Sequence, residues 1–160
     1  MAKQAEAKLI SESVLGTDLS IAECEILSEI VKYRSLELDD VLFEPDTVDG
    51  NLYLLIEGKL EIIKVLGPNN SVSINVLKEG AMIGELSFID GNAHTMRIKA
   101  RKSSKVLVLS REDFEGLLDA HPKVVFNVMR SILRFSHQLQ RRMLQENMDM
   151  QRMVKNEYMT

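Results

Sequence analysis

Disulfides are excluded within this chain, because it has a single cysteine, Cys24. A reducing compartment fits that usage best. Long apolar runs are missing as well. None approaches the roughly 20 residues of a membrane-spanning helix, and the opening MAKQAEAKLISES lacks the apolar stretch of a signal peptide. A cytoplasmic protein with no membrane partner is therefore expected. Positive charge is not in excess, and a net charge of -4 argues against a generic nucleic-acid binder, which needs a basic face for phosphates. Histidine is scarce: of three, only His94 falls among strand-like segments. A metal-dependent barrel enzyme would cluster several histidines with a carboxylate, so no metal site is indicated. No phosphate loop of the GxxxxGK type and no Ser/His/Asp or Cys/His arrangement occurs either. The reading is non-catalytic.

What is present falls into three blocks. Residues 1–31 read as an N-terminal helical segment. Ser20 and Glu23 form a capping box, each side chain serving the other residue's orphan N–H. Ile26, Leu27, Ile30 and Val31 follow at helical spacing. Cys24 reads as a small buried side chain on that helix.

Residues 32–121 read as a β-roll with its closing helix. Short strand-like runs at 33–38, 41–43, 51–56, 59–65, 72–77, 96–101 and 106–109 are separated by turn signals such as Glu57-Gly58 and Gly67-Pro68-Asn69-Asn70. In SVSINV, Val72, Ile74 and Val76 alternate with polar residues, which predicts a half-buried strand. Met96, Ile98 and Ala100 alternate with Arg97, Lys99 and Arg101, whose charges read as a solvated face. Many short strands at this spacing make a mainly β fold with flanking helices, most simply a jelly-roll β-barrel. Ser110 and Asp113 then give a helix start.

Residues 122–160 read as one long C-terminal helix, since Pro122 suits a first turn and no glycine or proline follows it. Val125, Met129, Ile132, Ser136, Leu139, Met143, Glu146, Met150 and Met153 recur at alternating four- and three-residue steps. That is a coiled-coil seam, which predicts a homodimer through Val125, Met129, Ile132, Leu139, Met143 and Met150. Phe126 and Leu133 lie beside it and are expected to pack back on the barrel.

The most informative stretch is IGELSFIDGNAHTMRIKA. With LYLLIEGKLEI, LKEGAMIGELSFIDG and VLVLSREDFEGLLDAHP, in that order, the chain resembles the cyclic-nucleotide-binding domain family, in particular the sensor half of catabolite-activator-type bacterial regulators. The resemblance spans residues 15–142. It implies a pocket in which Glu85 accepts a ribose hydroxyl, Gly84, Leu86 and Ser87 approach the ligand with backbone, and Thr95 supplies a hydroxyl. The family's phosphate-holding arginine falls on His94, and the long helix is expected to close over the base near Leu139 and Gln140. Asp46 stands in a turn where the family favours glycine.

The implied ligand is a cyclic nucleotide, cAMP or cGMP, weakened because imidazole cannot replace a bidentate guanidinium. Arg97 is no substitute, since an odd step from His94 along a strand turns it to the opposite face. A different small, anionic ligand stays open. So do three classes of protein: a dimeric sensor signalling through its long helix to an unidentified protein partner, a ligand-free interaction module on the same fold, and a truncated transcription regulator. Duplex DNA binding is not expected, because no helix-turn-helix follows residue 142.

Overall fold

The computed structural model describes residues 3–159, with side chains over residues 5–157; Met1, Ala2 and Thr160, at the outer ends of the expected blocks, lie outside the described residues. Helices α1 (Ala7–Glu12) and α2 (Ile21–Ser28) precede the strands, joined by a 3-10 turn at Val14–Gly16. The capping box forms as expected: Glu23 N–H donates to Ser20 Oγ at 3.1 Å, and Ser20 N–H donates to Glu23 Oε1 at 3.0 Å. The N-terminal block is not wholly helical, however. Lys3–Gln4 is a short strand, β1, antiparallel to β2 (Lys32–Leu36).

The remaining strands are β3 (Val41–Phe43), β4 (Asn51–Glu57), β5 (Leu60–Gly67), β6 (Asn70–Leu77), β7 (Met82–Ile83), β8 (Arg97–Ala100) and β9 (Ser104–Ser110). They form two antiparallel sheets, ordered β1-β2-β9-β4-β7 and β3-β8-β5-β6. This is the expected jelly roll. Helix α3 (Glu85–Asp90) lies between β7 and β8, α4 (Arg111–Glu115) follows β9, and α5 (Pro122–Met159) closes the chain.

Strands β4 and β9 are apolar on both faces because both faces are covered. Tyr53, Leu55 and Val106 point between the sheets with Leu36, Leu60, Ile83 and Ile98. Leu52, Leu54, Leu107 and Leu109 face the helices, where Ile10, Leu15, Leu27, Val124, Val128 and Ile132 meet them. The helices and the roll thus share one core.

Three expectations need correction. Strand β6 is exposed over most of its length: Val72 and Ile74 are exposed and only Val76 and Leu77, at its end, are half-buried, because β6 is the outer strand of its sheet. Phe126 and Leu133 do not pack on the barrel; they are 64% and 65% exposed, on the far side of α5. Ile132, expected in a dimer seam, is buried in the protomer's own core. The docking of α5 sets this rotation. Asn127 Nδ2 donates to Glu23 Oε2 at 3.0 Å, and Arg134 reaches Asp18 at 2.8 Å, fixing which side of the helix meets α2 and the 3-10 turn. Within the seam, Val125, Met129 and Ser136 are half-buried, whereas Leu139, Met143 and Met150 are exposed. Beyond Ser136, every side chain described is exposed. No described helix is long and apolar enough to cross a membrane.

Candidate ligand site

Between β7 and β8 the chain must turn sharply, and Gly84 makes that possible. Its φ is +87°, and a Cβ there would sit 2.8 Å from the Asn51 carbonyl oxygen. An L side chain would meet both penalties, left-handed strain and backbone overlap. From Gly84 the chain enters α3, which buries Ser87 and Phe88. The Ser87 hydroxyl accepts from Gly50 N–H at 3.1 Å, tying α3 to the loop before β4.

That loop also grips the segment carrying His94. Asp46 N–H donates to the His94 carbonyl at 2.7 Å, and His94 N–H donates to the Thr47 carbonyl at 2.8 Å. Asp46 adopts a φ of +64°, a conformation aspartate tolerates better than most residues. It therefore supplies the turn that glycine would otherwise make.

The result is a cavity of about 170 Å³ lined by Phe43, Ile62, Ile83, Ile98 and Met96 on its apolar walls. Gly84, Glu85, Leu86, Ser87, His94 and Thr95 come together at the same cavity. Thr95 is exposed, and its hydroxyl bonds to no described residue. Gln140 is not brought there. It lies on the exposed length of α5, in a shallow cleft with Met143, Leu144 and Asn147.

Charge in the site is arranged unexpectedly. The His94 side chain is only 4% exposed, stacked on Phe43 with ring centroids 3.6 Å apart and planes 11° from parallel. Its Nε2 lies 2.9 Å from Asp49 Oδ1. Asn51 N–H donates to the same oxygen at 3.0 Å, and Tyr53 Oη donates to Oδ2 at 2.5 Å. Burial pushes the Asp49 carboxyl up, but the bonds from Tyr53, Asn51 and His94 outweigh it, and its pKa lies below the ordinary value. An ionised carboxylate only accepts, so Nε2 carries the hydrogen. Burial, reinforced by the bond to Asp49, raises the pKa of the Tyr53 phenol and keeps it a donor.

Glu85 differs. It is half-buried, no cation pairs with it among the described residues, and burial raises its pKa. Arg97 is not among the cavity's lining residues, as expected, although His94 lies before β8 and not on it; Arg97 forms a two-pronged pair with Glu44 at 2.6 and 2.9 Å. With Lys99 3.4 Å from Asp39, its strand face is partly acid-paired rather than simply solvated. No described group of three His, Cys, Asp or Glu could hold a metal ion.

The partners that sequence reasoning did not find are Asp49, Tyr53 and Phe43. Asp49 and His94 are 45 positions apart, so no local spacing joins them.

Comparison with known proteins places the fold in a family. The family model for the cyclic nucleotide-binding domain matches residues 33–121. A curated relative, the Pycsar effector protein PaPycTIR of Pseudomonas aeruginosa, is 31% identical over 137 residues, covering 83% of this chain and 41% of its own length. The Anaerobic regulatory protein of Bacillus subtilis is 24% identical over 107 residues, 66% of this chain and 45% of that protein. The chain thus spans less than half the length of these curated relatives. A solved cyclic nucleotide-binding domain from Methylobacillus flagellatus superposes with a TM-score of 0.73 at 25% identity, covering 85% of this chain and 76% of that one. This chain belongs to the cyclic nucleotide-binding domain family.

Proposed function

We propose that this protein is a non-catalytic regulatory sensor that takes a small ligand in the Gly84–Thr95 cradle and works as a dimer joined along α5. The observation that carries the ligand reading is Glu85. It is a half-buried carboxylate on a preformed, largely apolar cavity, with no protein cation beside it among the described residues. Such a group is costly to ionise with only its own backbone N–H as a donor, and a ligand hydroxyl or amine supplies another.

The dimer reading rests on α5. Phe126, Met129, Leu133, Ser136, Gln140, Met143, Asn147, Met150 and Val154 alternate by three and four residues, and most of them are exposed. This stripe is turned slightly from the seam expected from sequence, because Ile132 is occupied in the core. Heptad spacing with polar Gln140 and Asn147 in the seam suits a parallel pair, in which each meets its own copy. Movement of α5 relative to the roll would then reach a protein partner.

A second reading has its own support. Asp49 already satisfies His94, so that side chain needs no ligand as a partner, and the same fold would serve as an interaction module. Calorimetry with cyclic mono- and dinucleotides and their parent nucleosides separates the two. Saturable heat from any member, lost in Glu85→Gln, is expected for the sensor. Silence across the panel overturns it in favour of the module.

A further inference from the structure

We propose that Asp49 is the specificity determinant of the cradle: its carboxylate holds His94 from within, so the site excludes cyclic phosphates and accepts an uncharged, hydroxyl-bearing ligand that donates to Glu85. The inference rests on the cradle being a ligand site and names the class of ligand.

Asp49 acts as a built-in anion. It faces His94 at 2.9 Å and is fixed by Tyr53 and the Asn51 N–H, so three donors converge on one carboxylate. His94 is also clamped by Phe43 and by two backbone bonds to the loop at Asp46 and Thr47, which leaves the ring little room to turn toward an incoming group. Arg97, three residues beyond His94, is spoken for by Glu44.

An entering phosphate would therefore find no free cation among the lining residues, and would bring its negative charge beside the Glu85 carboxylate, with His94 already turned to Asp49. Like charges in a partly dry pocket repel. A hydroxyl brings no charge and can donate to Glu85, while the Ile62, Ile83 and Ile98 walls accept an apolar body. Replacing His94 by arginine would not by itself restore phosphate binding, since Asp49 would pair with the new guanidinium.

The test compares adenosine with 3′,5′-cyclic AMP, which differ in the cyclic phosphate, by calorimetry on the full chain. The proteins are wild type, Asp49→Asn, His94→Arg and the double variant Asp49→Asn/His94→Arg, each checked for folding by circular dichroism. Asparagine keeps one acceptor oxygen for the Asn51 N–H, and its amide can donate to Tyr53 Oη, so the single Asp49→Asn protein keeps the test open if the double variant fails to fold. The wild type is expected to bind adenosine about tenfold or more tightly than cyclic AMP. Asp49→Asn should narrow that gap. The double variant should gain about tenfold or more for cyclic AMP, and His94→Arg alone much less.

Equal affinities in the wild type, or an equal gain from His94→Arg alone, overturn the proposal while leaving a ligand-binding cradle. Cyclic AMP binding to the double variant with adenosine silent on the wild type overturns the uncharged ligand. Silence of both ligands on every folded protein overturns the cradle itself as a ligand site.

Discussion

Around the cradle, His94 and Arg97 already have partners: His94 faces Asp49, and Arg97, turned away from the cavity, faces Glu44. Along α5 beyond Ser136 the opposite holds, and Met143, Leu144, Met150 and Val154 all present apolar surface to water. The first region is closed by contacts within one chain. The second is a helix of 38 residues, about 57 Å long, of which only the first turns are docked. Isolated helical stretches are marginal in water and draw their stability from packing an apolar face. The contrast separates what one copy can do from what requires two.

The sharpest way to break that contrast is to charge the free stripe. Met143→Glu is expected to convert a dimer to monomers in sedimentation at tens of micromolar, on the order of ordinary assay concentrations, while the roll stays folded. Leu139→Glu should have a smaller effect, because Leu139 is less exposed, at 43% against 61% for Met143, and lies beside the stripe. A monomeric wild type would refute the dimer. A larger effect from Leu139 would restore the seam inferred from sequence.

The next largest effect lies in the cradle. Gly84→Ala adds a Cβ 2.8 Å from the Asn51 carbonyl at a φ of +87°. Left-handed strain alone costs about 1–2 kcal/mol, and displacing β4 backbone adds to it. Urea titration should show a lower midpoint with an unchanged slope. An unchanged midpoint would mean that the turn relaxes around the added methyl group.

How far the sequence could be read followed the range of each interaction. Period-two alternation marked β8, and the Ser20–Glu23 pair marked the start of α2, because both signals lie within a few residues. Gly84, Glu85 and His94 were found through one continuous motif. Asp49 was not, since its role depends on a turn held by Asp46 and on a histidine far along the chain. The rotation of α5 was also hidden. Heptad spacing admits neighbouring stripes, and only Asn127 and Arg134, bonding to Glu23 and Asp18, choose between them. The exposure of β6 depends on its place at the sheet edge, which alternation does not record.

The smallest effect compares the two carboxylates of the site, whose shifts have opposite signs. Asp49 has a lowered pKa when folded, so its ionised form stabilises the fold. That contribution is present above the unfolded aspartate value of about 3.9 and is lost as pH falls through the lower folded value. Glu85 has a raised pKa because burial disfavours its charge. Its contribution is complete below the unfolded glutamate value of about 4.3 and is lost as pH rises through the folded value, leaving a penalty near pH 7. Glu85→Gln should therefore melt slightly higher than wild type at pH 7, with the difference closing as pH approaches 4. Asp49→Asn should melt lower at pH 7, its deficit shrinking only below about pH 4. Thermal melts of the three proteins across that range provide the check. If Glu85→Gln melts lower at pH 7, the carboxylate is stabilising the empty cradle, and it is not held in reserve for a ligand.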